Sequence, residues 1–200
     1  MSKFEDYAYT KAREGILAIK DKIAADIYAV SFYYSFDEDD PRQAVLSVGY
    51  NTNARWRACT PATGQPPKWP IASDSDEAKW NYAFWLQDEG EACNIGGARA
   101  DAAARKEWIQ SLGLWWTDEQ QEEDFDRTIE LGDKIGERFV ALCIAVARRL
   151  HDDGVIAQKF GRPVPILVHE LEYHDEIAKA TRQANPKNLA AEFEKWIKQM

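Results

Sequence analysis

Ile27-Tyr-Ala-Val-Ser-Phe-Tyr-Tyr-Ser-Phe36 is the stretch that decides the fold. Tyr28, Val30, Phe32, Tyr34 and Phe36 fall on one side of a period-two pattern, and Ala29, Ser31 and Ser35 fall on the other. Successive strand side chains point to opposite faces, so one face of this strand supplies bulk to a core. The acidic turn Asp37-Glu-Asp-Asp-Pro-Arg42 breaks the pattern, and residues 44–50 resume it. The two runs predict an antiparallel pair with a loop of six or seven residues. The acids of that loop read as solvated, because the ordered ligand spacing of a calcium loop is missing.

Outward from this pair the periodicity changes. In residues 4–25, Ala8, Ala12, Ile16, Ile19 and Ile23 recur at three- and four-residue steps, which predicts a helix. Residues 51–75 hold Pro61, Pro66, Pro67 and Pro70 beside Trp56 and Trp69, and read as an irregular connection with a short strand near Trp56. Asp74 with Glu77 looks like a capping box opening a helix over 76–89, apolar on two stripes. A turn is expected at 94–97 and an alanine-rich helix over 98–112.

Thr117 with Gln120 starts the next helix, whose first turns carry six acids that complement the helix dipole. Phe125, Ile129, Gly132, Gly136, Phe139, Cys143, Val146 and Leu150 then repeat at helical steps, which predicts a long buried helix over about 118–152. Gly132 and Gly136 mark a kink or a close contact with a neighbour. Residues 164–169 read as a short buried strand. Asn185-Pro186 ends one helix and begins the last, with Leu189, Phe193, Trp196 and Ile197 as its core stripe. Few short strands among many helices give an α+β fold: a single domain over 1–200, with a small, mainly antiparallel sheet packed against several helices.

Composition excludes several functions. With 34 acidic against 25 basic side chains the formal charge is −9, and no basic cluster answers the phosphates of a nucleic acid. No apolar run approaches the ~18 residues of a membrane span, and residues 1–6 lack the apolar core of a signal peptide, so a cytoplasmic protein is expected. Cys59, Cys93 and Cys143 form no Cys-x-x-Cys pair and read as reduced thiols. No phosphate loop and no nucleophile elbow occurs, and no cofactor motif is legible.

The densest polar cluster is His169-Glu-Leu-Glu-Tyr-His174. A zinc helix needs histidines four residues apart; here they are five apart, about 140° around a helix, so no metal is assigned. Were the strand to continue, Glu170 and Glu172 would share a face ~6.5–7 Å apart, a spacing compatible with acid/base work on a sugar. Structural packing and capping are the default reading for His169, Glu170, Glu172 and His174, with catalysis or ligand binding as the alternative. Most tryptophans lie on helices and read as core. Trp56 and Trp69, in the proline-rich connection, are the candidates for a partner-facing surface, with Trp80 and Asn81 as further binding candidates. His151 reads as a helix C-terminal dipole partner.

The strings Trp80-Asn-Tyr-Ala-Phe-Trp85 and His169-Glu-Leu-Glu-Tyr173, with Ile27–Tyr34, Leu46–Asn53 and Ala184-Asn-Pro around them, resemble the bacterial domain-of-unknown-function family 4303 over nearly the whole chain. The resemblance implies a small cytoplasmic α+β protein and supplies no catalytic residues. Small acidic bacterial proteins of this kind include toxin-neutralising immunity proteins. A non-enzymatic, immunity-protein-like module that binds a toxin-like protein partner is therefore the first functional expectation. A small hydrolase, or a small-molecule or metal binder, at 169–174 is the second.

Overall fold

Strand β1 (Ile27–Phe36) lies inside a four-stranded sheet, between β2 (Ala44–Thr52) and β4 (Ile166–His169), with β3 (Glu91–Ile95) beyond β2. The computed structural model describes residues 3–61 and 69–200. Pairings β1–β2 and β2–β3 are antiparallel, and β1–β4 is parallel. The expected pair of strands is present, with two short 3-10 turns over 37–43 between them. Strand β3 falls partly on the expected 94–97 turn, which starts later, at Gly96. Its Glu-Ala-Cys-Asn-Ile sequence has no clean alternation, because an edge strand exposing Glu91 and Asn94 needs little apolar surface.

The helices are α1 (Lys3–Ala18), α2 (Asp21–Ala24), α3 (Asn53–Cys59), α4 (Ser75–Trp80), α5 (Arg99–Ser111), α6 (Asp118–Glu123), α7 (Phe125–Asp152), α8 (Val155–Phe160), α9 (Asp175–Ala184) and α10 (Ala191–Ile197). An α+β domain follows, built around one main hydrophobic cluster. Register places Cys93, Val48, Phe32 and Val168 on one face of the sheet. A Cβ on Gly15 of α1 would lie 2.8 Å from Cys93 Sγ, and one on Gly136 of α7 lies 3.6 Å from Phe36, so both helices cover this face. Gly132 marks a close contact, where a Cβ would lie 3.0 Å from Pro41, whereas Gly136 has room for a Cβ, and α7 runs unbroken past both.

Four predicted elements differ in extent. The 4–25 helix divides because Lys20 is extended (ψ 132°). Thr52 caps a helix, α3, where a strand near Trp56 was expected, its hydroxyl taking the Arg55 N–H at 3.1 Å; Pro66 and Pro67 lie outside the described residues. The 76–89 helix stops at Asn81, whose side chain accepts from Ala83 N at 3.0 Å and starts a 3-10 turn instead. The Lys79 carbonyl, which residue 83 would have used, is taken by the Trp85 indole at 2.9 Å and the Tyr28 hydroxyl. The last helix begins at Ala191, since Asn188 turns left-handed (φ 66°) after Pro186; Phe193, Trp196 and Ile197 are buried as expected, and Leu189 is half-buried.

The 118–152 helix is two. The Thr117–Gln120 capping box forms, and then Asp124 leaves helical space (φ −147°, ψ 77°) and caps α7 through Arg127 N. Helix α7 is buried on one stripe, from Ile135 through Phe139, Leu142, Val146 and Leu150, and is not enclosed all round. Phe125 and Ile129, read above as part of that stripe, are 60% and 49% exposed, because the first turns of α7 run beside the 37–43 turns at one end of the sheet.

Strand β4 has no neighbouring strand on its outer side, and α9 serves that edge. Thr181 Oγ1 accepts from Val168 N (3.0 Å) and donates to Val168 O (3.2 Å). One turn later, Asn185 Oδ1 accepts from Ile166 N (2.8 Å) while its amide donates to Ile166 O and Thr181 O (both 2.7 Å). Two side chains four residues apart on a helix thus stand in for a strand partner. His151 Nε2 lies 3.1 Å from Asn185 Oδ1; it supports this amide, a more specific role than a dipole partner.

Candidate functional site

The second face of the sheet carries Ser31, Tyr33, Ser47 and His169, because Tyr33 is in register with both Ser47 and His169. The 80–90 segment lies over this face, with Tyr82 5.1 Å from Tyr33 in a near-parallel stack and 5.0 Å from the His169 ring. Trp85 and Tyr173 complete an aromatic shell around the imidazole, and the Tyr173 hydroxyl accepts from Tyr82 N at 2.9 Å.

His169 Nδ1 lies 3.0 Å from the Glu170 carbonyl, which only accepts, so Nδ1 carries the proton. Nε2 is then the acceptor for the Ser31 hydroxyl at 2.7 Å. Burial disfavours the imidazolium and pushes the His169 pKa from 6.5 down to about 4. A serine donating to a neutral histidine has the geometry of a nucleophile and its base. Ser31, however, is fully buried and His169 is 1% exposed beneath the aromatic shell.

The other three residues of the 169–174 cluster do not converge on His169. Strand β4 ends at His169, so Glu170 and Glu172 do not share a strand face. His174 sits at the surface with Nε2 3.0 Å from Glu170 and Nδ1 3.0 Å from Glu176; these carboxylates, Glu170 first, raise its pKa. His174 occupies the N-cap position of α9 without capping it. Glu172 is exposed. Among the described residues no group of three or more His, Cys, Asp or Glu side chains is placed to hold a metal ion.

The tryptophans expected to face a partner are half-buried. Trp56 and Trp69, with Phe84, close a small cluster around Cys59, Ala72 and Ala78. The Trp56 indole donates to Ser75 O at 2.8 Å, and the Arg55 guanidinium lies over Trp69 at 4.0 Å. Lys79 lies between Trp56 (4.8 Å) and Trp80 (4.6 Å) and pairs with Glu192. Trp80 is 5% exposed and Asn81 caps a turn, while Trp56 and Trp69 stay half-buried.

Two clefts were not foreseen. One, of about 430 Å³, lies between the 37–43 turns and the start of α7, with Phe125 and Ile129 in its wall and Glu38, Asp39 and Asp133 around it. Arg42, also in its wall, is bound by Asp40 (2.8 Å) and Asp118 (2.8 Å). The other, of about 250 Å³, opens on the second sheet face between Tyr33, Tyr82, Ser47, Gln87, Glu91 and Leu171. A signal for the first was present in part: Phe125 and Ile129 stand among acids at 122, 123, 124, 126 and 130, an unusual setting for a core stripe. The chain matches no family model, no curated protein and no solved structure.

Proposed function

We propose that the protein is a non-catalytic module that binds a basic protein partner, in the manner of an immunity protein, at the cleft beside Phe125. The observation that carries this reading is a pair of exposed apolar side chains, Phe125 and Ile129, in a cleft also lined by Glu38, Asp39, Asp40 and Asp133, whose lining cation among the described residues, Arg42, is already paired. Glu38 and Asp39 present their charges from a left-handed backbone (φ 55° and 56°), a conformation that non-glycine residues adopt at a local energetic cost. An apolar anchor inside a charged rim is the arrangement that gives affinity at the centre and fast, selective encounter at the edge.

The test is titration calorimetry against the products of the adjacent reading frames. A basic product should bind, with affinity falling as salt rises. Phe125→Ser with Ile129→Ser should weaken binding by more than about tenfold, the effect of losing an anchor worth 1–2 kcal/mol or more, without lowering Tm. Absence of binding to every adjacent product, or full affinity in the double variant, overturns the proposal.

A hydrolase at the 169–174 segment has one observation in its favour, the Ser31–His169 hydrogen bond. It requires Tyr82 to leave its place over the imidazole. Labelling of Ser31 by a fluorophosphonate, abolished in Ser31→Ala, would support it; an unlabelled native protein would remove it.

A further inference from the structure

The cleft on the second sheet face is separate from the Phe125 cleft, and its lining is chemically one-sided. Tyr33 and Tyr82 stack on each other, 5.1 Å between centroids and 13° between planes, and this pair forms its aromatic side, with the outer ring surface left for a ligand. Opposite them Glu91 contributes a carboxylate, exposed and with no hydrogen-bond or ion-pair partner among the described residues. Gln87 gives one amide N–H to the Tyr82 carbonyl (3.4 Å), and its side-chain oxygen is available as an acceptor. The Ser47 hydroxyl oxygen accepts from Asn94 Nδ2 at 3.1 Å and keeps a second lone pair. Among the described residues no lysine, arginine or histidine lines this cleft. Negative potential also reaches it from outside, since the charge of Glu170, after burial, holds the Tyr33 hydroxyl protonated above its ordinary pKa.

An aromatic face, an unpaired carboxylate and neutral acceptors together select a planar cation rich in N–H donors. A guanidinium lies flat on a tyrosine ring and donates in its own plane, whereas an ammonium is a strongly hydrated point charge. At about 250 Å³ the cleft is smaller than the ~300–1,000 Å³ typical of drug-sized ligand sites and suits a single small group. We propose that this cleft is a binding site for a guanidinium group, stacked on the Tyr33–Tyr82 wall and held by Glu91. The group is carried either by a small free guanidine or by an arginine side chain.

Methylguanidine titrated into the ¹⁵N-labelled protein tests the site. Saturable shifts are expected at the amides of residues 33, 47, 87 and 91, and Glu91→Gln should weaken them by about tenfold, the loss of one charge-assisted contact. Methylammonium should bind several-fold more weakly. Tyr33→Leu should abolish the effect; if that variant fails to fold, ring-current shifts on the methylguanidine protons in the native protein report the stacking instead. Agmatine and N-acetyl-arginine amide distinguish the two sources by which binds tighter, and either order supports the site. Absence of saturable shifts at these positions, equal binding by Glu91→Gln, or equal binding of methylammonium overturns it. Shifts confined to residues 37–40 and 125–133 would assign the cation to the Phe125 cleft and also overturn it, leaving the proposed partner surface independently testable.

Discussion

Replacing His169 with glutamine should flatten the pH dependence of stability between pH 7 and pH 4. In the folded protein burial holds the His169 pKa at about 4, whereas the unfolded chain titrates at 6.5. A depressed pKa means that the unfolded state takes up the proton first. The stabilisation is therefore complete above pH 6.5, declines as pH falls, and is gone below about pH 4. At 1.36 kcal/mol per pH unit, the interval from 6.5 to about 4 amounts to about 3 kcal/mol. His151, also lowered by burial, acts in the same direction. His174, raised by Glu170, contributes stability below pH 6.5 that is lost as pH rises through its folded pKa, so its window lies higher. Carboxylates such as Glu176 add their own loss at the acid end. These contributions are common to both proteins and cancel in the difference. Urea titrations at intervals from pH 7 to pH 4 should show the native protein losing about 3 kcal/mol more than His169→Gln. Parallel curves for the two proteins would refute the buried, neutral assignment, and with it the case that this imidazole is structural.

Asn185→Ala removes the partners of the buried Ile166 N–H and C=O, each worth about 1–3 kcal/mol when left unsatisfied; equilibrium unfolding should show a loss of about 4 kcal/mol, and a loss below 1 would contradict the edge-capping role. Gly15→Ala forces a Cβ to within 2.8 Å of Cys93 Sγ, 3.0 Å of its Cβ and 3.1 Å of the Ala92 carbonyl, and should destabilise by about 1–3 kcal/mol, with Cys93→Ala in the same chain relieving only the Sγ part by calorimetry. Burial raises the Cys93 thiol to about 12 and lifts Cys143 further, so thiol reagents at pH 8 should react slowly with the native protein and fully after unfolding; fast native modification of Cys93 would contradict this.

How much was legible follows from where each signal resides. Strand β1 was readable to the residue because Tyr28, Val30, Phe32, Tyr34 and Phe36 recur at every second position along it, and the capping box at Thr117–Gln120 is local by nature. Strand β3 was not, since an edge strand with one open face writes no alternation, and α4 was overextended because only the folded neighbourhood brings Tyr28 to the Lys79 carbonyl. The stripe through Phe125 and Ile129 has the same spacing as the buried stripe beyond it; tertiary placement alone decides that two turns of α7 pass the end of the sheet into solvent.

The candidate site divides the same way. By itself the sequence determined that the 169–174 histidines are wrongly spaced for a zinc helix, and that carboxylates and imidazoles gather at the end of a strand. Only the tertiary structure decided that His169 turns inward to Ser31, a residue 138 positions away, while Glu170, Glu172 and His174 stay outside. The reason is physical: spacing along a chain sets which side a side chain leaves from, whereas burial and pairing depend on which distant segment covers that side. Here it is the 80–90 segment, anchored through Lys79 and Tyr82, that makes His169 a core residue and leaves the neighbouring cleft open.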